Sequence, residues 1–183
     1  MENDFYEEIE HTADLDIIES KHVLELLTIS EEYIKFISNN SKYDKYTIMN
    51  FLQKIFPLMY LKGSLIPKII PANEEADERF VTEEEYQGLY VELKEKFSEN
   101  CEDGHCDCGD EADKIAEDLC DIYQDLKDFH TLYSKQLLAS QECAVRNARE
   151  WFIHRWGIHL TQLLVVFHNC IYHIGHTHEE EEE

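Results

Sequence analysis

Three aspartates, Asp118, Asp121 and Asp125, recur at i, i+3 and i+7, which sets three carboxylates on one side of two helical turns. Oxygen-rich clusters of this kind suit Mg²⁺ or Mn²⁺, hard cations that take carboxylate ligands. A second constellation is Cys101, His105, Cys106 and Cys108, four soft ligands within eight residues. Zinc takes four such ligands in a tetrahedron. The spacing lacks the paired C-x₂-C knuckles of ordinary zinc sites, however, and the adjacent His105 and Cys106 would strain closure. A solvated loop with adventitious metal affinity is the plainer reading. His173, His176 and His178, followed by a terminal Glu run, could chelate a metal loosely or simply form a polar tail.

Position on the helix makes two of the aspartates unusual. At roughly 100° per residue, Ile115, Leu119, Ile122, Leu126, Phe129, Tyr133 and Leu137 form one apolar stripe. Glu117, Asp121 and Asp128 fall well off it, as a solvated face should. Asp118 and Asp125 fall about 20–60° from Ile122 and Phe129, at the edge of the expected core. A carboxylate half sunk in a helix interface needs a donor or a cation. Arg149 is the expected partner, since it projects from the apolar face of the next helix about 20° from Trp156. Its guanidinium suits bidentate carboxylate recognition. The favoured reading is a buried Arg–Asp bridge that fixes helix packing. The functional alternative is a polar pocket holding a small molecule or metal.

The elements that must position these groups are helical. Val23, Leu26, Leu27, Ile34 and Ile37 predict a helix from Glu19 to Ser38, ended by Asn39-Asn40-Ser41. Asp44 can cap a second through Lys62, with a kink expected at Pro57 and an exit near Gly63. Residues 64–73, with Pro67 and Pro71, read as a connection over the bundle. Thr82 and Glu85 form a capping box for a third helix to Ser98, with Val81 and Tyr86 placed as a hydrophobic staple. The fourth is predicted from Asp113 to Ser140. Ser140 can cap the fifth, which runs to Tyr172, with Val145, Phe152, Trp156, Leu160, Leu163, Phe167 and Ile171 as its buried face. No strand alternation or internal repeat is evident. The expected fold is all-α, a single-domain bundle of about five main helices without a sheet. The expected division is an acidic, fraying segment over residues 1–18, the helical domain over 19–172 and a His/Glu-rich tail over 173–183.

Charge narrows the function classes. The net charge is −24, and dropping the five terminal glutamates still leaves −19. Such a field opposes direct binding to nucleic acid or anionic membranes, which work through basic patches, and favours cations and basic partners. Hydrophobic content of 43% alongside 31% charged residues is that of a globular chain. No apolar run approaches the ~18 residues of a membrane span. The acidic N-terminus lacks the features of a signal peptide, so a cytoplasmic location is expected. Cys120, Cys143 and Cys170 lie in helical patterns and read as small core or boundary residues.

Several ordered segments together resemble one family. They are residues 56–67 (FPLMYLKGSLIP), 80–86 (FVTEEEY) and 115–129 (IAEDLCDIYQDLKDF), with Arg149, Trp156-Gly157 and His168. The chain is similar across about residues 20–172 to DUF5063, a family of uncharacterised bacterial helical proteins found mainly in Bacteroidetes. The resemblance implies a small cytoplasmic helical protein and supplies no activity. The Cys/His loop and the His/Glu tail depart from the family pattern.

Complete catalytic constellations are missing from the sequence. It has no Gly-rich phosphate loop, Ser-His-Asp spacing or basic-aromatic patch. The paired Glu-x-x-Glu and Glu-x-x-Asp motifs of all-α nucleotide pyrophosphohydrolases have no convincing first half here. The Glu-x-x-His pairs of di-iron bundles reduce to Glu8 and His11. His168 reads as a boundary histidine rather than a base. The expectation is therefore a non-enzymatic accessory or interaction module whose acidic surface engages a basic protein partner or divalent cations. The alternative is a divalent-metal enzyme acting on a phosphorylated small molecule. It would use Asp118, Asp121 and Asp125 as ligands, with Arg149 or Lys62 on the phosphate.

Overall fold

The computed structural model describes residues 16–99 and 111–172. Residues 16–18 are helical, with Ile18 fully buried, and six longer α-helices follow: α1 Lys21–Ser38, α2 Lys45–Ser64, α3 Glu83–Ser98, α4 Ala112–Tyr133, α5 Leu138–His154 and α6 Trp156–Tyr172. Two 3₁₀ turns, Asn40–Lys42 and Glu74–Ala76, lie in the connections, and the described residues contain no strand. The N-terminal segment before residue 16, the loop carrying Cys101, His105, Cys106 and Cys108, and the tail with His173, His176 and His178 lie outside the described residues.

Capping fixes where α2 and α3 begin. Asp44 accepts a hydrogen bond from Thr47 N at 2.6 Å, and Thr82 accepts one from Glu85 N at 3.2 Å. Only half of the expected box closes. The Glu85 carboxylate accepts from Tyr123 Oη at 2.7 Å and pairs with Lys127, tying α3 to α4 instead of returning to its own cap. α2 continues through Pro57 and ends just after Gly63.

α4 is the central element, packing against α1, α3, α5 and α6. Ile115, Leu119, Ile122, Leu126 and Phe129 are all buried, as the stripe requires. The fully buried aromatics Tyr33, Phe56, Phe97, Phe129, Trp156 and Phe167 fill the space between the helices. Phe167 stacks between Phe56 and Phe97, at centroid separations of 6.1 and 6.0 Å.

Two predicted helices are shorter than expected. α4 stops at Tyr133, because the chain reverses through Gln136 in the left-handed region (φ 55°). Leu137 is consequently 63% exposed, off the core stripe to which periodicity assigned it, and Ser140 lies inside α5 rather than capping it. The expected fifth helix is two helices. Arg155 leaves helical geometry (φ −138°, ψ −93°), ending α5 before α6 starts at Trp156.

Gly157 makes that break possible, since a Cβ there would meet Phe152 O at 2.4 Å. Gly63 allows α2 to approach the same corner. A Cβ on it would lie 2.4 Å from the Trp156 ring and 2.5 Å from that of Phe152. The expected count of about five helices thus rises because a single residue changes the direction of the chain.

Candidate functional site

The break at Arg155 determines which cations meet the aspartates of α4. Two of the resulting partners, Arg155 at the break itself and His159 one turn into α6, face α4. Four carboxylates, Asp118, Asp121, Asp125 and Asp128, form a line along that helix. Asp118, Asp125 and Asp128 are no more than 1% exposed. Asp128 therefore belongs to the interior and not to the solvated face where the periodicity put it, and Asp121 is half-buried.

Each carboxylate has different company. Asp118 Oδ1 accepts from Lys114 Nζ at 2.6 Å and lies 2.7 Å from His159 Nδ1. The second contact is charge to charge, since the Nδ1–H is not aligned for a hydrogen bond. His159 Nε2 is 3.4 Å from Asp121 Oδ2, and Asp121 Oδ1 accepts from Tyr86 Oη at 2.9 Å. Asp125 Oδ1 lies 3.1 Å from Arg155 Nη1 and 3.7 Å from Arg79 Nη1, yet neither of its oxygens has an aligned hydrogen bond. Asp128 is the best satisfied. It accepts from Arg79 Nη1 at 3.0 Å and from the backbone N–H groups of Phe80 and Val81 at 2.8 and 3.0 Å. The Arg79 guanidinium also lies over the Trp151 ring, 3.8 Å from its centroid.

Proton affinities follow these contacts. Burial alone would raise the Asp118 carboxyl, but His159 and Lys114 outweigh it and hold the group below the ordinary carboxylate value. Burial pushes Asp125 up to about 7, because Arg155 and Arg79 offset only part of the desolvation and the Asp121 and Asp128 charges add to the rise. The contact with Asp118 raises the His159 imidazole above its usual value against the opposing effect of burial, with Asp121 adding to it. Burial pushes the nearby Cys120 thiol up to about 12.

The expected Arg149–aspartate bridge does not form. Arg149 donates from Nη1 to the Ile66 carbonyl at 2.6 Å, at the connection after α2, and the aspartates are served by Lys114, His159, Arg155 and Arg79 instead. The reason is geometric. The helical wheel assumed one straight helix through residue 155, whereas Arg149 belongs to α5 and Trp156 opens α6. Trp156 is fully buried and donates from Nε1 to Ala148 O at 3.2 Å. Lys62 is engaged elsewhere, with Glu25 at 2.8 Å. His168 is exposed beside Tyr172, on a groove it shares with Gln53 and Pro57. Neither Lys62 nor His168 has a recorded contact with the aspartate line.

Sequence reasoning missed four contributors. Lys114 stands four residues before Asp118, a spacing that makes helical neighbours, and was within reach of inspection. His159, Arg155 and Arg79 carry no local signal, because their roles depend on the chain break and on residues 79–81 crossing α4.

The arrangement is electrostatically closed. No group of three or more His, Cys, Asp or Glu side chains converges as metal ligands among the described residues. Beside the line, a cleft of about 540 Å³ opens between α3 and α4, lined by Tyr86, Gln87, Tyr90, Asp113, Lys114 and Glu117. No helix among the described residues is long and apolar enough to cross a membrane.

Comparison with known proteins agrees with this architecture. A crystal structure of protein BF1032 from Bacteroides fragilis is similar, with a TM-score of 0.74 and 30% identity, covering 85% of this chain and 99% of that one. No curated protein matches the sequence. The family described as a domain of unknown function, DUF5063, matches residues 17–173. With most of its length matched, this chain belongs to the DUF5063 family.

Proposed function

We propose that the protein is a non-catalytic accessory module that works by binding, with its acidic surface engaging a basic protein partner. The observation that carries this reading is the balance along α4, where four carboxylates face four cationic side chains of the same chain. A general base needs a free nitrogen or oxygen aimed at substrate. His159 instead has both nitrogens against carboxylates, which favours a fixed imidazolium. The neighbouring thiol, Cys120, is buried and protonated at neutral pH. With these four carboxylates offset by Lys114, His159, Arg155 and Arg79, nearly all of the chain's acidic surplus lies elsewhere in it and is available to a partner.

The cleft between α3 and α4 is the best-suited docking place. Two tyrosines flanked by Asp113 and Glu117 make a setting for a lysine or arginine side chain. The chain already uses it in this way, since Lys94 lies 2.6 Å from Asp113 and 5.6 Å over the Tyr90 ring. A metal-dependent reaction on a phosphorylated small molecule is the less favoured reading. Protein cations occupy the carboxylates it would use, and Arg149, beside Ile66, and Lys62, beside Glu25, lie away from the aspartate line.

Cross-linking the native protein in cells, followed by mass spectrometry, tests the proposal. A basic protein should be captured through α3 and α4, with capture falling sharply at about 0.5 M salt and in Glu117→Lys. Recovery of the free chain alone, or capture indifferent to both changes, would contradict it.

A further inference from the structure

Among the described residues, Arg149 alone of the chain's four arginines has no carboxylate partner, although acids outnumber Lys and Arg by 40 to 16. Arg79, Arg146 and Arg155 each pair with Asp or Glu. Arg149 spends a single N–H on Ile66 O, and its other donors have no partner among the described residues. It lines a separate cavity of about 440 Å³ between α5 and the connection after α2, together with Lys68 and Arg146. Glu74 and Glu150 also reach this cavity, but Glu74 is bonded to Arg146, so the lining remains net positive within a chain of −24.

The rim of the cavity is apolar and exposed. Ile70 is 78% and Ile153 is 47% accessible, on either side of the basic wall. Scattered exposed apolar residues need no explanation, but these two adjoin unpartnered donors in a concavity of ligand size. We propose that this cavity binds a small amphipathic anion, a carboxylate bearing an aliphatic or aromatic chain. The free edge of Arg149 would take the carboxylate in bidentate fashion, Lys68 would add charge, and Ile70 and Ile153 would cover the chain. The site is distinct from the acidic cleft, and its ligand has the opposite charge to the partner proposed there.

Calorimetric titration of the full chain with octanoate tests the assignment, with octanol, octyltrimethylammonium and inorganic phosphate as controls. Octanoate should saturate one site while the three controls do not. Arg149→Gln, whose amide can still donate to Ile66 O, should weaken binding about tenfold. Ile70→Glu should do the same at a position too exposed to affect folding. Amide resonances of residues 66–71 and 146–153 should shift on titration. The proposal is overturned by absence of saturation up to about 5 mM, by octanol, octyltrimethylammonium or phosphate binding equally well, or by unchanged affinity in Ile70→Glu. Shifts confined to the Tyr86–Tyr90 cleft would also overturn it.

Discussion

Asp118 and Asp125 lie two turns apart on the same side of α4, both closed to solvent and each beside two cations, yet the carboxyl of Asp125, which sits the deeper of the two, shifts up while that of Asp118 shifts down. Asp118 receives an aligned hydrogen bond from Lys114 and has the His159 imidazole 2.7 Å away. Asp125 receives charge from Arg155 and Arg79 without an aligned donor. Proximity of a cation does not by itself hold a buried carboxylate ionised; deeper burial and the lack of donors aimed at its oxygens both act against the charge of Asp125. Asp128, with three aligned donors, extends the comparison of hydrogen bonding to the most fully satisfied carboxylate of the line.

The largest expected effect tests that extension. Asp128→Ala would strand two backbone N–H groups and the Arg79 guanidinium at a buried position. It should cost about 3–5 kcal/mol in urea unfolding. A cost near zero would mean that the 79–81 segment is not held by this carboxylate. Asp118→Ala should cost less, about 2 kcal/mol, because Lys114 is 57% exposed and can return to solvent. Its ionised-state contribution is present above the usual carboxylate pKa of 3.8 and should fade as pH falls through the depressed folded value.

Asp125 should behave in the opposite way. Its carboxyl binds a proton more tightly in the folded chain than in the unfolded one, so stability falls as pH rises from about 4 to about 7. Asp125→Asn should remove that slope. It should be nearly neutral at pH 4 and stabilising by about 1 kcal/mol at pH 8. His159 adds a further decline. The stabilisation from its raised pKa is complete below 6.5 and is lost as pH climbs through the folded value. Thermal denaturation of wild type, Asp125→Asn and His159→Gln across this range separates the two contributions. A wild-type curve that rises from pH 4 to 8 would break the comparison. The smallest expected effect is that of metal: millimolar Mg²⁺ or Mn²⁺ should move the melting temperature by less than about 1 °C, since the aspartates already face protein cations.

The unusual placement of Asp118 and Asp125 was legible from helical periodicity, because a 22-residue helix with an apolar stripe keeps its register throughout. Thr82 and Asp44 were legible as caps for the same local reason. Periodicity failed where the backbone departs from ideal geometry. Arg155 and Gln136 each end a helix that the apolar pattern would continue, and only contact with Phe152 shows why Gly157 follows the first break. Periodicity pairs Arg149 with an aspartate of α4, whereas its guanidinium meets the Ile66 carbonyl. The turn at Arg155 brings Arg155 and His159 to face α4, and leaves Arg149 beside Ile66. Asp128 was misplaced because a wheel describes one helix, whereas its donors come from the loop before α3, nearly fifty residues away in sequence.

A double-mutant cycle between Asp118 and His159, measured by urea unfolding at pH 6, tests most directly whether the carboxylates of α4 serve the fold. If they do, Asp118→Asn and His159→Gln should be coupled by about 1–2 kcal/mol, the two changes together costing less than the sum of each alone. Strict additivity, with both variants as stable as wild type, would show that the pair holds nothing together and would return the aspartate line to consideration as a reactive site.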